Sequence, residues 1–124
     1  MTTAKRRLGT AGEQHARRLL EREGYRFVTA NWRCSAGELD LVMRDGDELV
    51  FVEVKVRRGE ALGLAEAALT KQQGQRIMRA AACFLDERRD YDDVIWRVDM
   101  VAITLAASGA IDRLSHLVNV VTSD

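Results

Sequence analysis

The strongest constraint on this chain is an alternation of apolar and polar residues that runs twice in succession around a single turn signal. Leu39, Leu41 and Met43 alternate with Glu38, Asp40 and Val42, Asp45-Gly46-Asp47 follows, and Leu49 to Arg57 alternates again. Period two on both sides of an Asp-Gly turn specifies a β-hairpin. Glu53 and Lys55 then share a face with Leu49 and Phe51, while Val52, Val54 and Val56 line the other. A four-residue loop, Asp45 to Glu48, pairs Arg44 with Leu49 and sets Asp40 directly opposite Glu53, with Cβ atoms about 5 Å apart. A two-residue Asp45-Gly46 turn leaves the two carboxylates diagonal on the same face. Either register gathers two carboxylates beside an ammonium. Opposed like charges destabilise a sheet and a divalent cation between them removes the repulsion, so the pattern points to metal binding by Asp40 and Glu53.

The flanking segments complete an α/β plan. Residues 1–9 read as a flexible basic arm, and Thr10-Ala-Gly-Glu13 has capping-box spacing for a helix from about Ala11 to Glu23, stopped by Gly24. Tyr25, Phe27, Val28 and Trp32 suggest an irregular strand. After Gly59 and Gly63 an Ala- and Leu-rich stretch has no decisive pattern, whereas Thr70 to about Arg88 carries Ile77, Ala81, Phe84 and Leu85 at helical spacing. Val94 to Thr104 and Ile111 to Val121 read as strands around a Ser108-Gly109 turn. The expected order is helix, three strands, helix, two strands. With 124 residues there is room for one core, so residues 10–124 form one domain. Glu38 shares the strand face of Asp40, and Glu13 lies roughly 20° around the first helix from Leu20, at the border of its buried stripe.

Net charge is zero, but sign is segregated. Residues 1–33 carry eight basic and three acidic groups and residues 54–80 carry six and two, whereas residues 34–53 carry one and six. Carboxylates inside a cationic rim suit a metal surrounded by phosphate contacts. Cys34 and Cys83 stand apart without metal-ligand spacing and read as reduced thiols. No stretch reaches the roughly 20 apolar residues of a membrane span, and the basic start lacks the apolar segment of a secretory signal, so a cytoplasmic protein is expected.

Asp40, twelve intervening residues and then Glu53-Val54-Lys55 resembles the motif of the PD-(D/E)XK nuclease superfamily. Glu13, Gly37-Glu38-Leu39-Asp40-Leu41 and Leu49-Val-Phe-Val-Glu-Val-Lys55 together resemble the archaeal Holliday junction resolvases within it. Nearly the whole chain resembles the bacterial YraN-like proteins through Gly12-Glu13, Gly24-Tyr25, Asn31-Trp-Arg33, the hairpin, Lys71 and Arg97-Val-Asp-Met-Val101. Leu39 stands where the superfamily name has Pro, a departure shared by resolvase-like members.

The resemblance implies a restriction endonuclease-like αβββαβ core with a mixed central sheet flanked by helices, and a metal-dependent endonuclease acting on DNA, branched or junction DNA included. It implies that Asp40, Glu53 and the Val54 carbonyl hold Mg²⁺ or Mn²⁺, that Lys55 orients water or neutralises the phosphate, and that Glu13 and Glu38 add outer ligands or a second metal site. Lys71, Arg57, Arg58, Arg76 and Arg79 are the candidate phosphate contacts, with Lys71 at a helix N-terminus. By analogy with the resolvases a homodimer is expected. The alternatives are a cross-strand ion-pair cluster for Asp40, Glu53 and Lys55, a capping carboxylate for Glu13, a solvent-facing Glu38, and solvated surface cations. In that case the chain is an inactive nucleic-acid-binding or scaffolding domain. His15 and His116 have no partner pattern and read as surface and strand residues, and Trp32 and Trp96 read as core rather than base-stacking platforms.

Overall fold

A computed structural model of the chain describes residues 4–59 and 69–121. Its centre is the expected hairpin, β2 (Gly37–Asp45) and β3 (Glu48–Arg58), with Arg44 opposite Leu49. The register is the one that aims Asp40 at Glu53. It closes through the two residues Gly46-Asp47 rather than the four-residue loop, because Asp45 and Glu48 themselves pair. Gly46 adopts a φ of 61° in that turn, a conformation glycine enters without a Cβ clash.

Around the hairpin lie α1 (Ala4–Arg22), β1 (Arg26–Cys34), α2 (Lys71–Glu87), β4 (Trp96–Leu105) and β5 (Ile111–Leu117). The five strands are ordered β1-β2-β3-β4-β5, with β3 and β4 parallel and every other pair antiparallel. A parallel pair needs a crossover, and α2 lies in the connection from β3 to β4. The element order is the expected one, and a mixed sheet with a helix on each face is consistent with a restriction endonuclease-like core, extended at one edge by β5.

Several boundaries differ from the sequence expectation. The first helix starts at Ala4, so residues 4–9, expected as an arm, have helical backbone, and Thr10 lies inside the helix instead of capping it. Lys5, Arg6, Arg7 and Leu8 are good helix formers, and nothing before Gly9 interrupts them. The capping box is found at the other helix, where Thr70 Oγ1 accepts from the Gln73 amide at 3.1 Å and Gln73 Oε1 accepts from the Thr70 amide at 3.0 Å. The last two strands are shorter than expected. Asp93 and Asn119 take φ values of 66° and 55°, which turn the chain before β4 and after β5. Most of the Ala- and Leu-rich stretch after Gly59 lies outside the described residues.

Burial of two sheet faces organises the interior. Against α1, Ala16 and Leu20 pack with Leu41, Met43, Val50, Val52, Val101 and Ile103. Against α2, Ile77, Ala81 and Phe84 pack with Val42, Leu49, Phe51 and Val98. The two tryptophans belong to the α2 layer as expected, Trp32 edge-on to Phe84 at 5.3 Å and Trp96 edge-on to Phe51 at 5.4 Å. Gly12 brings α1 unusually close to β3, since a Cβ there would stand 2.5 Å from Val56 Cγ2. Among the described residues no helix is long and apolar enough to cross a membrane.

On the α1 side, at the starts of β3 and β4, a charged cluster is built around a buried carboxylate. Asp99 is fully buried, and its oxygens accept from Arg97 Nε at 3.0 Å and from the Asn119 amide at 2.9 Å. Arg97 also donates to Glu48 at 2.8 Å, to Tyr25 Oη at 2.7 Å and to Asp45 at 3.3 Å. His116 is not the unpartnered strand residue expected. Its Nε2 lies 2.8 Å from Asp99 and its Nδ1 3.0 Å from Glu23, tying β5 to β4 and to the end of α1. Burial works against the charge on Arg97, but the hydrogen bonds and charge of Asp99 prevail and hold the guanidinium pKa above its ordinary value. Arg97→Met leaves Asp99 buried without its cationic partner and should cost about 3–5 kcal/mol. Urea unfolding at pH 7 measures this; a loss below about 1 kcal/mol would show that the cluster does not hold the fold.

Candidate active site

The hairpin ladder ends at Leu41 and Val52. Beyond that pair β2 continues against β1 and β3 continues against β4, so the strands part like a fork. Asp40 stands at the fork. Its Oδ2 accepts a 2.9 Å hydrogen bond from the Val54 amide, which replaces a backbone ladder bond and holds the carboxylate against β3.

The strict alternation expected along β2 breaks here. Leu41 and Met43 join the α1 core, but Leu39 joins the α2 core. On β1 Ala30 and Trp32 divide in the same way, and between them Asn31 has a φ of 53°. The left-handed residue sits where β1 changes face, opposite Asp40, and Asn is among the few side chains that tolerate it.

A cavity of about 220 Å³ opens at this point, lined by Glu38, Asp40, Glu53 and Lys55 from the strands and by Gln73 and Arg76 from α2. Lys55 Nζ lies 3.2 Å from Glu53 Oε1, both side chains largely buried. Burial and then the charge of Glu53 push the Asp40 pKa up to about 8, against the opposing hydrogen bond from Val54. The Asp40 carboxyl therefore holds a proton far more readily than an ordinary carboxylate does. Glu13 reaches the same cluster from α1. Burial raises its pKa, a hydrogen bond from Asn31 opposes that, and the charges of Glu38 and Glu53 add to it. Glu38 lies 3.6 Å from Arg33.

The structure thus brings together Glu38 and Asp40 of β2, Glu53 and Lys55 of β3, and Glu13 of α1. Among the described residues, however, no group of three or more His, Cys, Asp and Glu side chains is gathered closely enough to hold an ion. Of the expected phosphate contacts, Arg76 lines the cavity, Lys71 is the first residue of α2, and Arg79 lies exposed about one turn beyond Arg76. Arg57 lies on the Glu53 and Lys55 face by strand period, whereas Arg58 falls on the other, so these two do not converge. Asn31 and Gln73 were not expected at the site. A sequence signal existed for each, an Asn able to adopt positive φ and a Thr-x-x-Gln capping box. Cys34 and Cys83, read as isolated thiols, meet between β1 and α2, and their hydrogen bond raises the Cys83 pKa while both remain free.

Residues 12–103 match the model of the uncharacterised protein family UPF0102. The chain is 43% identical to a UPF0102 protein of Chloroflexus aurantiacus over the whole of both chains. It is 39% identical to one of Roseiflexus castenholzii, covering 94% of each chain, and 46% identical to one of Beutenbergia cavernae, covering 92% of this chain and 95% of the relative.

Asp40 gives the fold a definite pH dependence without any added cation. The folded chain keeps a proton that the unfolded chain releases near pH 4, so this group's contribution is fully favourable below pH 4 and is lost as pH rises towards 8. Asp40→Asn should remove that slope and stabilise the protein at pH 8 by a few kcal/mol, on the order set by the shift. Chemical unfolding of both proteins in chelator at pH 5 and pH 8 checks this; parallel pH profiles would contradict it.

Proposed function

The chain belongs to the UPF0102 family, and we propose that it is a divalent-cation-dependent endonuclease that hydrolyses phosphodiester bonds in DNA. The observation that carries this reading is the fork between β2 and β3, where Asp40 and Glu53 lie beside Lys55 in one cavity. Burial and then the charge of Glu53 work against ionisation of Asp40, so the two carboxylates disfavour being charged together. The donors are hard oxygens, suited to Mg²⁺ or Mn²⁺, and Asp40 and Glu53 would hold the ion, with the Val54 carbonyl, Glu13 and Glu38 as its nearest further oxygen donors. When bound, such an ion supplies Lewis acidity toward a phosphate oxygen and water.

The chain's own groups do the rest. Lys55, held by Glu53, offers a fixed positive charge to the phosphate undergoing substitution. Arg76 presents a guanidinium from the cavity wall, and Lys71 and Arg79 extend the cationic rim along α2. None of these three has an ion-pair partner among the described residues, which leaves them available to backbone phosphates. Resemblance to the resolvases makes branched DNA and a homodimeric enzyme part of the same proposal. The absence of a preformed cluster of three metal-ligating side chains among the described residues favours a second reading, a nucleic-acid-binding domain that keeps the fold and does not turn over.

With Mg²⁺ or Mn²⁺, the wild-type protein should cut at least one of duplex, single-stranded and four-way-junction DNA. Asp40→Asn and Lys55→Ala should each reduce cleavage by about 100-fold or more while retaining DNA binding in chelator. Cleavage by wild type and both variants alike would sink the assignment, and no cleavage of any substrate would favour the binding domain. Thermal melts give an independent check. A cation that binds the folded state alone adds about 2.7 kcal/mol at a hundredfold excess over its Kd, so Mn²⁺ should raise the wild-type midpoint and leave Asp40→Asn nearly unmoved.

A further inference from the structure

At the end of β2 away from Asp40, a second cluster of like charge is left without its counter-ion. Arg26 of β1 and Arg44 of β2 are direct cross-strand partners. Their neighbours Phe27 and Met43 form the next pair, and Met43 packs into the α1 core, so both arginines lie on the opposite, α2 side of the sheet. Like charges opposed across an antiparallel pair repel.

The carboxylates nearby are committed elsewhere. Asp45 and Glu48, which flank the hairpin turn, both pair with Arg97, Glu21 pairs with Arg17, and Glu23 pairs with His116. Among the described residues no carboxylate lies within 4.0 Å of Arg26 or Arg44. Arg44 is more than unpaired. Its Nε is buried and donates to no acceptor, while its guanidinium lies 5.7 Å from the centre of the Tyr91 ring. A buried donor with no acceptor is costly to a fold and calls for an explanation. The two side chains line a cavity of about 350 Å³ together with Gly24, Gly46 and Asp47. Both glycines face open space where a Cβ would stand, so the mouth is clear. Asp47 lies at the rim without forming an ion pair to either guanidinium.

We propose that Arg26 and Arg44 form a binding site for a phosphate group, separate from the carboxylate cavity. Two guanidinium forks present parallel N–H donors to the several oxygens of a tetrahedral oxyanion, a match that a planar carboxylate makes with only one of them at a time. An anion seated between them removes the cross-strand repulsion and gives the terminal guanidinium nitrogens on the cavity side an acceptor. The phosphate is either free, as inorganic phosphate or on a small molecule, or part of a nucleic-acid backbone passing a second point about four residues along β2 from Asp40, roughly 13 Å at strand rise. The site goes beyond the nuclease assignment and stands without it.

The test uses inorganic phosphate as the probe, against chloride at matched ionic strength, with the melting midpoint as the readout. Phosphate should raise the wild-type midpoint by a few degrees beyond chloride, as expected of a ligand bound only to the folded state. Arg26→Met, an exposed position where folding is not at stake, and Arg44→Met should both lose that increment, and Asp47→Asn should keep or enlarge it. Equal effects of phosphate and chloride on wild type, or an undiminished increment in Arg26→Met, would overturn the proposal. A second arm measures binding of fluorescent duplex DNA in chelator, where no cleavage can occur. If Arg26→Met binds more weakly and lowers the salt slope by about one, the phosphate belongs to a nucleic-acid backbone. If Arg26→Met loses the phosphate increment yet binds DNA like wild type, the ligand is a free phosphate and the site stands. Failure of the cleavage assay touches neither arm.

Discussion

The hydrogen bond from the Val54 amide to the Asp40 carboxylate is the contact on which the site depends. A hairpin whose ladder continued past Leu41 and Val52 would satisfy Val54 with a backbone carbonyl and leave no opening between the strands. By substituting a side-chain oxygen for that carbonyl, the chain ends the ladder without leaving a buried donor unpaired. The opening so created is what admits Glu53, Lys55 and the wall of α2 to one cavity. The same contact brings Asp40 into an environment that disfavours its charge, so structure and chemistry are linked through one carboxyl group.

Charge is used differently at the two ends of β3. At its start Arg97 is surrounded by Asp99, Glu48, Asp45 and Tyr25, and His116 adds a bridge from Asp99 to Glu23. These groups satisfy one another. They bind β4, the hairpin turn, β5 and the end of α1 into one rigid corner. Further along the strand, among the described residues, the carboxylates are more numerous than their partners, with Lys55 the one lysine lining the cavity. A saturated cluster holds the fold, and an unsaturated one is open to exchange with a ligand.

Much of this was legible in the residues. The two alternating runs specify the hairpin and put Asp40 and Glu53 on one face, while the turn that sets them directly opposite is fixed by the pairing of Asp45 with Glu48. Helical spacing from Thr70 onward locates α2, and order along the chain gives the sheet class. What pattern could not show are the consequences of distant contacts. The break in alternation at Asp40 lies beside the left-handed Asn31 of the neighbouring strand, and a period-two reading of β2 by itself places Leu39 on the wrong face. The partners of His116 come from residues 17 and 93 positions away. Sequence places the start of α1 too late because a Thr-x-x-Glu spacing is also satisfied inside a helix, where Glu13 is free to turn toward the strands.

The close approach of Gly12 to Val56 ties the volume of the apolar interior to the electrostatics of the cavity. Glu13 follows Gly12 directly, so the distance at which α1 rests on β3 sets how strongly Glu13 acts on Glu53 and Asp40. A larger side chain at either contact position would lift the helix and weaken that coupling, although every polar residue stayed unchanged. Acidity at this site is therefore a heritable trait of the packing as well as of the carboxylates. Relatives that differ only in aliphatic residues beneath α1 would differ in the pH at which their common acidic residues ionise.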